Sequence, residues 1–354
     1  MSTTLADTTV DRDAVALVIK ARRRVTRRIA LVTIVMAAGV VFAFSISLAI
    51  GDFRVPIWRV LPAVFGSGHP EEVFAVQELR LPRALLGLLV GAAFGMSGAV
   101  FQSLARNPLA SPDILGISAG GSLSAVFALT VLGVSGLALS LSATAGALVT
   151  AVLIYILAYR QGLSSYRLVL VGIGVGAVAT ASTQYFWTRA HTYDAASVAV
   201  WLSGSLNGRE WESIRPILFM LVVLVPVTLA LGKQLKTLEL GDDSAKAVGI
   251  AVQRARAMLL LLGVALAGAG IGAAGPVAFV AFVCAPIARR VSRSPGPPLL
   301  QAALLGSILV LVADLVGRVA LPSTEVPVGI LTGLIGAPYL LWVLATTNSS
   351  GQGD

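Results

Sequence analysis

The sequence predicts an all-α polytopic membrane protein of about ten transmembrane helices, and three observations predict it. Only 12% of the 354 residues are charged and 56% are hydrophobic, whereas soluble domains carry about 25% charged residues. Charge-free runs near the roughly 20 residues needed to cross a hydrocarbon core recur along the chain. Lys and Arg gather in short segments between alternate runs, the pattern that orients membrane helices. In a soluble protein a net charge of +9 would suggest nucleic acid. Here the positive charge lies in loops and the N-terminal tail, so no nucleic-acid partner is expected.

Residues 1–28 read as a basic cytoplasmic tail. Thr26-Arg27-Arg28 resembles a twin-arginine signal, but the apolar stretch after it exceeds the roughly 7–15 residues of a signal. Residues 29–51 are therefore read as an uncleaved first span. An outer segment, 52–79, leads to a second span at 84–105. The long run 114–159 holds two spans, 114–132 and 137–159, parted near Gly133 and Gly136. After the span 168–188 comes a second outer segment, in which 195–208 is charge-free but too short to cross and is expected to lie at the outer surface. The span 214–232 precedes the main inner segment, 233–256. The following run breaks at Gly275-Pro276 and is read as two short spans, 257–275 and 276–288. Pro295-Gly296-Pro297-Pro298 blocks helix continuation before the last two spans, 298–317 and 327–346. The membrane domain thus covers 29–347, with a cytoplasmic tail at 348–354. With both termini cytoplasmic, 18 of the 26 Lys and Arg residues fall inside. Nine spans would move Arg289, Arg290 and Arg293 outside and weaken that bias.

Several motifs carry chemistry or imitate it. Gly87, Gly91, Gly95 and Gly98 share a helical face, and Gly172/Gly176 and Gly268/Gly272 repeat the spacing. Small residues so placed let helix backbones approach closely in lipid; lining a pore is the alternative. Gly270, Gly272 and Gly275 spell a dinucleotide fingerprint without the strand or the downstream acid it requires. Gly116-Ile-Ser118-Ala-Gly120 spells a nucleophile elbow, but a serine nucleophile needs an activating base. The two histidines, His69 and His191, lie in outer loops, so Ser118 is read as a helix-end residue. No phosphate-binding loop motif occurs, so any ATP hydrolysis belongs to another subunit. Cys284 is alone and lies in an apolar run, which leaves no disulfide or cysteine metal site within the chain.

Asp314 is the acid inside the ninth run, a functional candidate by default. Arg318 lies four residues on, so a local ion pair satisfies both. Arg80, Arg83 and Arg318, with Arg189, are outer positives that break the charge bias. Arg80 and Arg83 are spaced to face the outer surface together, either anchoring a helix end or meeting carboxylates of a partner. In the inner segment Leu238–Gly249, Asp242, Asp243 and Ser244 suit the first turn of a short helix and Gly249 its end. Leu240, Ala245 and Val248 would then offer an apolar patch to a cytosolic protein.

Taken together, Arg80-Leu-Pro-Arg83, Gly98-Ala-Val-Phe-Gln102, Asn107-Pro-Leu-Ala110, Leu115-Gly-Ile-Ser118, Leu240-Gly-Asp-Asp243, Asp314 with Arg318, Glu325-Val-Pro-Val-Gly329 and Gly336-Ala-Pro338 resemble the FecCD-type permeases of ABC importers for ferric siderophores, haem and cobalamin. The likeness runs from about Arg80 to Trp342 and implies a ten-helix type II importer permease fold. It also implies dimerisation with a second copy or a sister permease around a central pathway in the inner membrane of a bacterium. Cytosolic ATPase subunits that use ATP and Mg, and an extracytoplasmic substrate-binding protein, are the implied partners; no cofactor is expected on this chain. By the same resemblance, Arg80, Arg83 and Arg318 meet the binding protein, and Leu238, Leu240, Gly241, Asp242, Asp243, Ala245, Val248 and Gly249 couple to the ATPase. Asn107, Leu109, Ser165 and Tyr166 line a cytoplasmic gate, although Tyr166 stands where a small residue is usual. A ferric siderophore is the expected substrate, with haem or cobalamin next. A proton-coupled secondary carrier is the alternative from another class.

Overall fold

A computed structural model describes residues 12–51, 55–159, 165–320 and 325–349. The outermost parts of both tails, 1–11 and 350–354, lie outside the described residues. The first helix, α1 (Arg12–Ala49), is followed by two short helices, α2 (Ile57–Val64) and α3 (Pro70–Phe74). A π turn (Ala75–Arg80) then leads without a break into α4 (Leu81–Ala105). Three helices, α5 (Ile117–Thr130), α6 (Gly136–Ala158) and α7 (Ser165–Arg189), complete the first half. The connecting α8 (Thr192–Leu202) precedes α9 (Trp211–Ala230), and α10 (Gly232–Glu239) and α11 (Asp242–Ala247) are short. Four helices close the chain: α12 (Val252–Ala274), α13 (Val280–Ser292), α14 (Leu299–Val319) and α15 (Val328–Ser349).

Among the described residues seven helices, α1, α4, α6, α7, α9, α12 and α14, are long and apolar enough to cross a membrane. Two shorter apolar helices, α5 and α15, join them, and with the 13-residue α13 the helix count is roughly in line with the ten spans the sequence predicts. The most apolar stretches of α4 and α12 are 83% and 72% buried, against 17–22% in α1, α6, α7 and α9. So α4 and α12 form the centre and the others wrap them. Helices that are apolar all round belong in such a position.

Glycine permits this packing. A methyl on Gly91 would strike the backbone of Gly306 and Ser307, one on Gly95 the carbonyl of Ala302, and one on Gly98 the carbonyl of Ala281. Gly270 and Gly272 face Phe94 and Thr144, so the fingerprint-like glycines are packing positions. Between these close approaches sits a continuous apolar core around Leu86, Phe94, Met96, Leu259 and Leu266.

Local differences from the sequence reading have simple causes. Helix α1 runs on through residues 12–28 of the predicted tail because no Gly or Pro interrupts them. Gly275, at φ 77°, ends α12, but α13 starts only at Val280, so residues 275–279 are non-helical. The predicted surface stretch 195–208 splits into the end of α8 and a turn at Ser203–Ser205. That turn docks inward: Ser205 N–H bonds the Ala274 carbonyl at 2.9 Å, and Gly204 accepts from Gly329 N–H at 3.1 Å.

Candidate functional site

The candidate residues fall at opposite ends of the bundle. At one end, Arg83 donates through Nε to both oxygens of Asp314 at 3.0 and 3.2 Å, and through Nη1 to Glu325 Oε2 at 2.8 Å. Arg318 Nε lies 3.2 Å from Asp314 Oδ2, and its Nη2 bonds Ser47 Oγ at 2.6 Å. The local Asp314–Arg318 pair is therefore present, but the larger contact crosses from α14 to α4. Asp314 is 3% exposed, the arginine side chains 12% and 9%, and Glu325 41%. This is a nearly dry cluster of two cations and one anion, closed on the solvent side by a second acid.

Arg80 departs from the expectation that it faces the outer surface beside Arg83. It is buried and donates to the carbonyls of Leu48 and Ala49 at 2.9 and 3.1 Å. Those carbonyls lie in the last turn of α1, where intrahelical donors run out; the buried guanidinium bonds both, and Val55 N–H also bonds the Ala49 carbonyl at 3.2 Å. The π turn ends at Arg80, which turns toward α1 while Arg83 meets α14.

At the other end, α10 and α11 form an elbow at Gly241, whose φ of 113° only glycine adopts freely. Asp242 accepts from Arg256 of α12 at 2.8 Å, and Glu239 accepts from Arg289 of α13 at 2.7 Å. Leu240 and Val248 are exposed, but Ala245 is fully buried and Leu238 nearly so. Ala245 therefore does not belong to the predicted apolar patch; it seats α11 on the bundle. Asp243 is exposed and Gly249 ends the elbow with φ 81°.

Between α4 and α5 the chain follows Arg106 (φ 50°) into the Asn107 turn, where Asn107 Oδ1 accepts from Leu109 N–H at 2.9 Å. Asn107 is exposed and Leu109 half-buried. Ser165 opens α7 with its side chain outside the described residues, and Tyr166 is exposed. The segment after Leu109 climbs into the bundle: Gly116 sits against Gly172 and Gly176, and an added methyl would lie 2.6–2.9 Å from them. Gly172 is seven residues into α7, or about 10 Å along it at 1.5 Å per residue. Non-helical backbone at that depth is tolerated only where protein buries it or it lines an aqueous cavity.

The sequence reading missed Asp113, which lies on this segment. It is partly buried and accepts hydrogen bonds from Ser118 Oγ and from the backbone N–H of Phe279. Ser118, considered above as a nucleophile, is thus a donor to a carboxylate at the start of α5. The signal available was an acid one residue before an apolar run, which hydropathy alone reads as a loop. On α7, Gln184 is exposed five residues before the helix ends, and a carboxamide there is satisfied by water or a partner chain. A cavity of about 200 Å³ between α4, α5, α6, α7 and α12 is lined by Phe101, Leu115, Leu148, Tyr155, Leu168 and Leu261. It has none of the convergent polar groups that fix a small ligand.

The profile of the FecCD transport family matches residues 39–346. The chain belongs to the FecCD transport family. Among curated FecCD-like relatives, it is 37% identical to the ferric enterobactin transport system permease protein FepG of Escherichia coli K12, over 90% of this chain and 97% of that one. It is 39% identical to the iron(3+)-hydroxamate import system permease protein FhuG of Bacillus subtilis 168, over 87% and 95% of the two chains. The vitamin B12 import system permease protein BtuC of Serratia proteamaculans is 37% identical over 93% and 96%. Among solved structures, a metal-chelate type ABC transporter in an inward-facing conformation superposes with a TM-score of 0.80. It is 27% identical and covers 90% of this chain and 99% of that one. This FecCD chain is accordingly a permease subunit of the ABC importer class, a class in which a separate subunit carries the ATPase.

Proposed function

We propose that this FecCD permease passes a ferric siderophore from an extracytoplasmic binding protein to the cytosol, driven by a separate ATPase pair. The observation that carries the reading is the placement of a largely buried ion cluster and an exposed, partly apolar elbow at opposite ends of one glycine-packed bundle. The cluster of Arg83, Asp314, Arg318 and Glu325 lies at one end, and the elbow with exposed Leu240, Asp243 and Val248 lies at the other. An importer needs one face for the loaded binding protein and one for the ATPase, with a path between them.

On this reading Arg83 and Arg318 form the docking face, with Arg80 beneath them holding the end of α1. The α10–α11 elbow takes the ATPase stroke. Asn107, Leu109, Ser165 and Tyr166 border the cytoplasmic gate, next to the segment that climbs to Gly116. Both termini are cytoplasmic. Gln184 on the exposed face of α7 favours a water-filled pathway shared with a second copy or a sister permease. Motion at the elbow tilts helices so that one gate opens as the other closes. The iron-chelate names of two of the three relatives described above favour a ferric siderophore over cobalamin.

Uptake by cells lacking the gene tests the substrate. Loss of ferric-siderophore uptake alone, restored by the intact gene, is the expected result. Selective loss of cobalamin or haem uptake would overturn the substrate while keeping the mechanism.

A further inference from the structure

Helix α13 is only 13 residues, about 20 Å, and begins inside the bundle. Its first turn lies against Gly98, through Ala281, seven residues before the end of α4, and Gln102 Nε2 donates to the Phe282 carbonyl at 2.9 Å. Its N-cap, Phe279, has φ 65°, a conformation that side-chain-bearing residues rarely take. Gly336 of α15 packs against the ring. Helix α5 also begins inside the bundle, where Gly116 meets Gly172 and Gly176. The N-termini of both half-length helices meet at one carboxylate: Asp113 accepts from Ser118 in the first turn of α5 and from the Phe279 N–H that caps α13. Each N-terminus carries roughly half a positive charge, and the Asp113 carboxyl lies at both. The far end of α13 is also tied, because Arg289 donates to Glu239 of α10 at 2.7 Å and to Ser103 of α4 at 3.2 Å.

We propose that α13 is the rod that transmits motion of the α10–α11 elbow to the gate segment 107–116, with Glu239–Arg289 as its lower joint and Asp113 as its upper joint. The proposal rests on the functional reading above, in which the elbow meets the ATPase. When the elbow shifts, Glu239 draws Arg289, α13 tilts about Pro286, whose missing N–H leaves the Phe282 carbonyl to Gln102, and Asp113 carries the segment bearing Asn107 and Leu109. Asp113 is a positioning residue; it need not touch the substrate.

The test uses the full complex of permease, ATPase and binding protein in proteoliposomes, with ferric-siderophore uptake and ATP hydrolysis measured together. Asp113→Asn keeps the shape but removes the charge, and uptake per ATP should fall roughly tenfold, within the range of allosteric couplings. The lower joint gives a second, independent variant. Glu239→Arg or Arg289→Glu alone should lower uptake per ATP, and the double exchange should restore most of it. The gate readout is thiol labelling at Leu109→Cys; the native Cys284 is buried. Its labelling rate should change on ATP binding, and Asp113→Asn should abolish that change in complexes of normal assembly. Normal uptake per ATP in Asp113→Asn, or no rescue by the double exchange, would overturn the rod while leaving the importer reading intact. Absence of ATP-driven uptake by the unmodified complex would overturn both.

Discussion

Replacing Asp314 by Asn removes one negative charge from between two nearly buried guanidinium groups. Its oxygens lie 3.0 and 3.2 Å from Arg83 Nε and 3.2 Å from Arg318 Nε. With charge centres about 4 Å apart and an effective dielectric constant near 20, each attraction is worth about 4 kcal/mol before desolvation. The variant loses both and leaves Arg83 facing Arg318 with only Glu325 nearby. Removing one partner of a buried ion pair costs about 3–5 kcal/mol, and here two cations share the loss. A fall of several degrees in the unfolding midpoint is expected, with α1, α4 and α14 loosening together because Arg318 also holds Ser47. The assay is thermal unfolding of the purified permease in detergent, with Asp243→Asn as control. Asp243 is fully exposed and its pair with Lys246 is 3.4 Å long, so the control should unfold like the parent. An Asp314→Asn variant with the parent midpoint would refute the claim that this carboxylate holds the cluster.

The remaining expectations concern packing, docking and passage. Gly91→Leu drives a side chain into the backbone of Gly306 and should abolish accumulation of folded protein, whereas Gly174→Ala, with open space around it, should be recovered normally by size-exclusion chromatography. Arg83→Glu should weaken capture of the loaded binding protein by about 2–5 kcal/mol, read by titration; unchanged affinity would remove Arg83 from the docking face. Arg256→Ala frees Asp242 and with it the start of α11, so ATP hydrolysis should persist while uptake per ATP falls. Gln184→Leu should slow uptake without changing complex assembly or hydrolysis, and full uptake would show that α7 does not line the path.

Much of the architecture was legible because hydropathy and lipid impose the same rule on every span. The break at Gly275-Pro276 was also legible, since Pro cannot continue a helix and Gly275 carries φ 77°. Depth was not legible. Hydropathy does not distinguish a loop outside the membrane from one that climbs into it, so Asp113 looked like an ordinary loop acid beside the run that begins at Ile114. Long-range ion pairs were equally hidden: Arg83 and Glu325 are 242 residues apart and Arg289 and Glu239 are 50 apart. Local pairing could be read, as with Asp314 and Arg318 one turn apart. Side-chain direction on a six-residue helix could not, which is why Ala245 was placed on the exposed patch. Arg80 was misplaced because nothing local signals that α1 ends beside it with carbonyls to satisfy.

The most direct measurement is ATP-dependent accumulation of a radioiron-labelled siderophore in proteoliposomes containing this permease, its ATPase and its binding protein. Accumulation that needs ATP and the binding protein, and that is lost with the Arg83→Glu variant, is the predicted result. Accumulation driven by a proton gradient without ATP, or unaffected by omitting the binding protein, would contradict the account.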